Sequence, residues 1–363
     1  MIKLENEELI RFQNILKNRL YNTDIVSRYA NYLLNDKDYI TIDLMKQFEE
    51  YGLDEVETFK ILLMESCLYF DEFGDETKNY LKYNYIDKSV KKCDIDKYLN
   101  DPYYQNIKIG DKKIGKWDLK MMTIKPYQGF LCDDIVMCED GREIPQLGFF
   151  DKEFKYPAVL EDDNEWMTLI PSEIETLREG IEKAHGKVIT FGLGLGYYPY
   201  MVSRKENVDS IVIVERDENV IKLFEENILP QFEHKDKVTV IKADAFEFVK
   251  NTKSDFDFAY VDIWRDASDG IDMYIRMKNI EHMWSGTEFM YWVETSILAE
   301  LSRYAFLVVL KYFKDTKIDN RLDPMTRQIE DYYKNHKIES VDDFVKMLGV
   351  DVLRDLATKI KID

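Results

Sequence analysis

Four short apolar runs stand out in the second half of the chain: Val188–Phe191, Ile211–Val214, Val238–Ile241 and Phe258–Ile263. Stretches with helical spacing separate them, at about 197–206, 217–227 and 245–251. Unbroken apolar runs predict strands buried on both faces, and their alternation with helices predicts a mostly parallel sheet covered by helices on both faces. Glu288–Glu294 alternates and predicts a fifth strand, while residues 296–313 and the segments after Pro324 return to helical spacing. Ahead of the first strand, Ser172 and Glu175 have capping-box spacing, which predicts a helix running to about Ala184. The first hundred residues also read as helical, with Leu9, Ile10, Phe12, Ile15 and Leu16 on one face. The acids Asp54, Glu55 and Glu57 suit a first helical turn. Between these halves, the strand-like runs Leu119–Ile124 and Ile135–Cys138 lie near the turn signals Gly110-Asp111 and Asp140-Gly141.

At 363 residues the chain is long enough for two or three domains. Its 50 Lys and Arg against 70 Asp and Glu leave a formal charge of −20, and the acid excess is spread along the whole length. Such a chain lacks the basic footprint that neutralises phosphates, and anionic membrane surfaces repel it, so neither nucleic acid nor a membrane is an expected partner. A neutral or cationic substrate suits it better. The start, MIKLENEELIRF, has no basic segment followed by an apolar one, and the longest apolar run, Tyr304–Leu310, is too short to span a bilayer. Cys67, Cys93, Cys132 and Cys138 form no C-x-x-C, and the four histidines lie far apart, so no metal site is expected. A cytoplasmic location is the expectation.

The chemistry gathers at the ends of the four strands. The first runs into Gly192-Leu193-Gly194-Leu195-Gly196, where alternate glycines let the backbone turn tightly and approach a ligand. The second ends at Glu215-Arg216-Asp217. A carboxylate there can accept hydrogen bonds from both ribose hydroxyls of an adenosine and would repel a 2′-phosphate, while Asp217 suits a helix cap. The third is followed by Asp244-Ala245, where the acid can cap the next helix or accept from an adenine amine. The fourth delivers Asp262, with Trp264, Arg265 and Asp266 behind it. In an open parallel sheet the ligand crevice lies outside the carboxyl ends of the strands, so these residues share one rim.

In VITFGLGLGYYPYM, IVIVERDENVIKLF, VTVIKADAFEFV and FDFAYVDIW, in that order, the chain resembles the class I S-adenosylmethionine-dependent methyltransferase superfamily, nearest its spermidine synthase-like branch. The resemblance covers about residues 165–295 and implies a Rossmann-like domain, which the pattern of elements extends over residues 166–315; the same pattern reads as a helical region at 1–103, a small β-rich subdomain at 104–165 and a helical extension at 316–363. It also implies S-adenosylmethionine as cofactor, with the glycine loop under its methionine part, Glu215 and Arg216 at the ribose and Asp244-Ala245 near adenine. Asp262 is the candidate catalytic residue, placed to orient or deprotonate an acceptor. Three departures from the pattern are visible. Thr190 stands where many methyltransferases carry an acid. Asp262-Ile263-Trp264-Arg265-Asp266 replaces the aminopropyltransferase signature Asp-Ser-Ser-Asp-Pro. Glu165-Trp166-Met167-Thr168 replaces the Tyr-His-Glu stretch of those enzymes. The leading expectation is therefore methyl transfer to a small-molecule or peptide acceptor. The alternatives are aminopropyl transfer, with Asp262, Asp266 and Asp269 facing a polyamine, and a noncatalytic cofactor-binding scaffold. A nicotinamide dehydrogenase is disfavoured because Tyr197 stands where G-x-G-x-x-G needs its third glycine. The partners expected are a small-molecule or peptide substrate and a second copy of the chain.

Overall fold

A computed structural model describes residues 4–48, 51–313 and 323–362. Its centre is a five-stranded sheet built from β1 (Gly186–Phe191), β2 (Val208–Glu215), β3 (Val238–Lys242), β4 (Phe258–Val261) and β5 (Glu288–Tyr291). The order is β3-β2-β1-β4-β5, and every pairing is parallel. The central strands are buried along their apolar runs: Val188, Ile189, Phe191, Phe258, Ala259 and Val261 are completely buried, which is why they read as continuous apolar stretches. The chain winds outward from β1 in one direction and returns to the other side at β4. The switch point therefore lies between β1 and β4.

The helix α1 (Pro171–Lys183) precedes β1, and α2 (Tyr197–Ser203), α3 (Glu218–Asn227), α4 (Ala245–Asn251), α5 (Ala267–Ile280) and α6 (Glu294–Leu310) follow the strands in turn. The α/β class and the fifth strand, parallel to β4, agree with the sequence reading. The start of α1 differs from it. Its N-cap is Ile170, whose side chain offers no cap, and Pro171 fills the first helical position, where a missing N–H is harmless. Glu175, expected in a capping box, pairs instead with Lys97 at 2.6 Å and Arg178 at 3.1 Å. Capping boxes occur at Asp266 with Asp269, opening α5, and at Ser340 with Asp343.

Upstream, a 26-residue helix, Asn6–Asn31, buries Asn18 and Asn22, whose amides donate to the carbonyls of Asp140 and Gly141. The predicted Asp140-Gly141 turn is thus clasped by the first helix. The β-rich stretch forms two sheets rather than one. In the first, residues 90–92 pair in parallel with 147–149, beside the 130–137 strand. In the second, four antiparallel strands at 112–114, 117–124, 154–161 and 164–168 follow one another. The hairpin turn before Trp117 is Gly115-Lys116, and Gly110-Asp111 precedes the strand instead. Asp162 and Asp163 both adopt positive φ, the geometry a two-residue type I′ turn needs, so this hairpin closes without glycine. No helix among the described residues is long and apolar enough to cross a membrane.

Candidate functional site

The strand ends converge as the apolar pattern implied. A cavity of about 660 Å³ opens at the carboxyl edge of the parallel sheet, within the range of small-molecule and cofactor sites. Its walls include Gly192, Leu193, Gly194, Glu215, Arg216, Asp244, Ala245 and Asp262. The four-stranded antiparallel sheet closes the opposite side with Trp117, Glu161, Glu165, Trp166 and Met167.

Gly192 is where the loop becomes possible. Its φ is +93°, and a Cβ there would stand 1.7 Å from the carbonyl oxygen of Asp262. The loop from β1 and the loop from β4 thus touch backbone to backbone, which only glycine allows. Gly196 does something else. It sits at the N-cap of α2 with φ +73°, facing the ring of Phe224 at 2.5 Å from where a Cβ would be, and it does not line the cavity. There it lets α2 pack closely against α3. The loop is braced from the N-terminal region. The Tyr103 hydroxyl donates to the Leu195 carbonyl, and the Tyr197 hydroxyl donates to Asp101 at 2.9 Å.

Glu215 ends β2 with its carboxylate folded back, accepting from the Asp217 amide at 2.8 Å. Burial pushes its pKa up, and the amides of Asp217, Arg216 and Leu193 pull it down. Glu215 also lines the cavity. Arg216 stands exposed on the rim. Asp217 caps α3 through the amides of Asn219 and Val220. Asp244 caps α4 by accepting from Phe246 and Glu247, both at 3.0 Å, while also lining the cavity.

Asp262 lines the cavity at the end of β4 and is half-buried. Burial, and secondarily the charge of Glu215, push its carboxyl up to about 7. Its side chain has no hydrogen-bond or ion-pair partner among the described residues. Asp266 and Asp269, expected to face a substrate alongside it, are instead consumed in the capping box of α5, and neither lines the cavity. Trp264 walls the cavity and stacks parallel to Tyr291 at 6.4 Å.

Two features escaped the sequence reading. One is Glu173, in the first turn of α1, which shares the cavity with Asp262 and is held well above the usual carboxylate range by burial and by the Asp262 charge. Thirteen helical residues and six strand residues each span about 20 Å, so the first turn of α1, antiparallel to β1, lies level with the strand end. That length match is the signal in the sequence. The other is that four of the five tryptophans, Trp117, Trp166, Trp264 and Trp292, line this one cavity. The Trp117 and Trp264 indole nitrogens are buried without a hydrogen-bond partner among the described residues. No sequence spacing joins residues so far apart.

Part of this site is similar to known proteins. Residues 180–273 match the family described as Spermine/spermidine synthase domain, a stretch of about a quarter of the chain that carries β1 to β4 and the loops above them. Among solved structures, the spermidine synthase from Thermotoga maritima is similar at 14% identity and a TM-score of 0.29, over 42% of this chain and 59% of that one. A spermidine synthase in complex with the transition state analogue AdoDATO is similar at 14% identity and a TM-score of 0.28, over 40% of this chain and 57% of that one. The chain thus spans under two thirds of the length of either structure. No curated protein matches the chain.

Proposed function

We propose that the protein is a transferase moving an aminopropyl group from the sulfonium of decarboxylated S-adenosylmethionine to an amine acceptor. The observation that carries the reading is the pair of unpartnered carboxyls, Asp262 and Glu173, in a cavity whose rim suits an adenosine. Buried acids without a countercharge favour cationic ligands. A donor that has lost its carboxylate presents only ammonium and sulfonium to them. The unpartnered acids, together with the match over residues 180–273, favour aminopropyl transfer over the methyl transfer expected from the sequence.

The residues present fit such a donor. Gly192 and Gly194 leave the loop without side chains, the nearest atom to a Gly194 Cβ being the Met167 sulfur at 3.6 Å. Glu215 has free acceptor capacity toward ribose hydroxyls, and Ala245 leaves room beside Asp244 for a flat base. When bound, the donor supplies an electrophilic carbon activated by sulfur. What remains for the protein is to hold the acceptor nitrogen in line and to take its proton. Asp262, titrating near 7, is suited to proton transfer at neutral pH. The four tryptophans in the cavity lining present aromatic faces of the kind that attract cations.

The test is incubation with decarboxylated S-adenosylmethionine or S-adenosylmethionine and a panel of diamines and polyamines, read by mass spectrometry. An aminopropyl adduct supports the proposal. A methyl adduct formed only with the undecarboxylated donor overturns it in favour of methyl transfer.

A further inference from the structure

Glu173 has no counterpart in the motif that drew attention to the strand ends. It comes from α1, outside the residues 180–273 that match the family. Its carboxylate has no hydrogen-bond or ion-pair partner among the described residues. We infer that Glu173 and Asp262 form an ammonium-for-proton exchange pair: the acceptor's ammonium displaces the proton held at Glu173 on binding, and Glu173 takes back the acceptor's proton during transfer. The inference rests on the proposed function and adds to it a second catalytic residue.

The surroundings support this exchange. The groups around Glu173 are acids and phenols. Asp262 and Tyr260, from β4 and its end, lie beside it, while Tyr198 from α2 and Asp134 on the 130–137 strand, held by the Ser296 hydroxyl, neighbour Tyr260, and Glu215 from the end of β2 neighbours Asp262. Tyr198 stacks on Tyr260 at 4.3 Å and the Tyr260 hydroxyl has no partner among the described residues, so neither supplies positive charge. The cations on the cavity wall are engaged or distant: Lys116 pairs with Glu161, Arg265 pairs with Asp266, and Arg216 is exposed on the rim. In the empty cavity two neighbouring carboxyls therefore cannot both ionise cheaply, and Glu173 keeps its proton. An ammonium between them reverses the balance. The N-terminus of α1, where Glu173 lies at the third position, also favours the ionised form once that charge arrives.

The step balances. A bound R–NH3+ gives one proton to the Glu173 carboxylate. The freed nitrogen pair forms the N–C bond as the donor's C–S bond breaks, and that electron pair stays on sulfur as a neutral thioether. The product is a secondary ammonium, and Glu173 is protonated as it was before binding.

The experiment is calorimetry at pH 7 on the full chain saturated with 5′-methylthioadenosine. It is titrated with 1,3-diaminopropane and 1,4-diaminobutane in buffers of different ionisation enthalpy, which counts protons released per amine bound. The wild type should release protons. Glu173→Gln should cut the release by at least half and weaken diamine binding about tenfold or more, with 5′-methylthioadenosine affinity unchanged. Glu173→Asp should restore the release. Undiminished release in Glu173→Gln, no release from the wild type, or no diamine binding to the wild type–nucleoside complex overturns the pair alone. Failure of 5′-methylthioadenosine to bind the wild type overturns the proposed function beneath it.

Discussion

Glu215 and Asp262 are both carboxylates at strand ends, yet their surroundings give them different work. Glu215 is held by backbone amides, which favour its charge and fix its direction. Asp262 has no such donors. Replacing Glu215 with Ala should weaken 5′-methylthioadenosine binding by about 1–3 kcal/mol, because two ribose hydroxyls lose their acceptor in a desolvated place. Titration calorimetry checks this. For Asp262 the pH dependence has a definite sign. The folded state raises its pKa from 3.8 to about 7, so between those values the native protein holds a proton that the unfolded chain has lost. Stability contributed by this group therefore falls as pH rises from about 4 to 7, and the penalty is complete above 7. Asp262→Asn should consequently melt higher than wild type at pH 8, with the gap closing toward pH 4, while losing about 10²- to 10⁴-fold in transfer rate. A melting series across pH and an assay at pH 8 test both halves. Legibility at this scale was uneven. Strand-end acids announce themselves by following an apolar run. Glu173 follows a proline in a helix start that looked like a capping box, and its importance arises only from the side chain of Asp262 across the cavity.

Among elements, the parallel strands were legible because burial on both faces demands unbroken apolar runs, and the helices α4 and α3 began where Asp244 and Asp217 cap them. The β-rich stretch was less so. Its first sheet joins residues 90–92 to 147–149, a pairing that local pattern does not encode, and the Asp162-Asp163 turn lacks the glycine that usually marks such hairpins. The junction of β1 and β4 offers a sharp test. In Gly192→Ala the new methyl would meet the Asp262 carbonyl oxygen at 1.7 Å with φ at +93°, so the two loops must separate. Loss of nucleoside binding together with destabilisation of roughly 3 kcal/mol or more is expected. Gly194→Ala, which meets only the flexible end of Met167 at 3.6 Å, should cost less stability. Chemical denaturation of both variants makes the comparison.

For the whole molecule, the acid excess of −20 takes on a second meaning, since three of the 70 acids, Glu173, Glu215 and Asp262, are gathered in one cavity. Elsewhere a buried acid is structural. Glu143, 2% exposed, binds Arg19 at 2.6 Å and Arg303 at 3.1 Å, tying the first helix to α6 through the 143–149 strand. Glu143→Leu strands two guanidinium groups and should lower stability by about 3–5 kcal/mol, as read by denaturant unfolding, without touching the cavity. The contrast between that paired acid and the unpaired acids of the cavity is the core of the functional account. Its most direct test is calorimetry of the wild-type protein with 5′-methylthioadenosine, decarboxylated S-adenosylmethionine, S-adenosylmethionine and NAD. The account predicts that the three adenosyl sulfur compounds bind, the decarboxylated donor more tightly than its parent, and that NAD does not. Absence of binding by all three at millimolar concentration would contradict it.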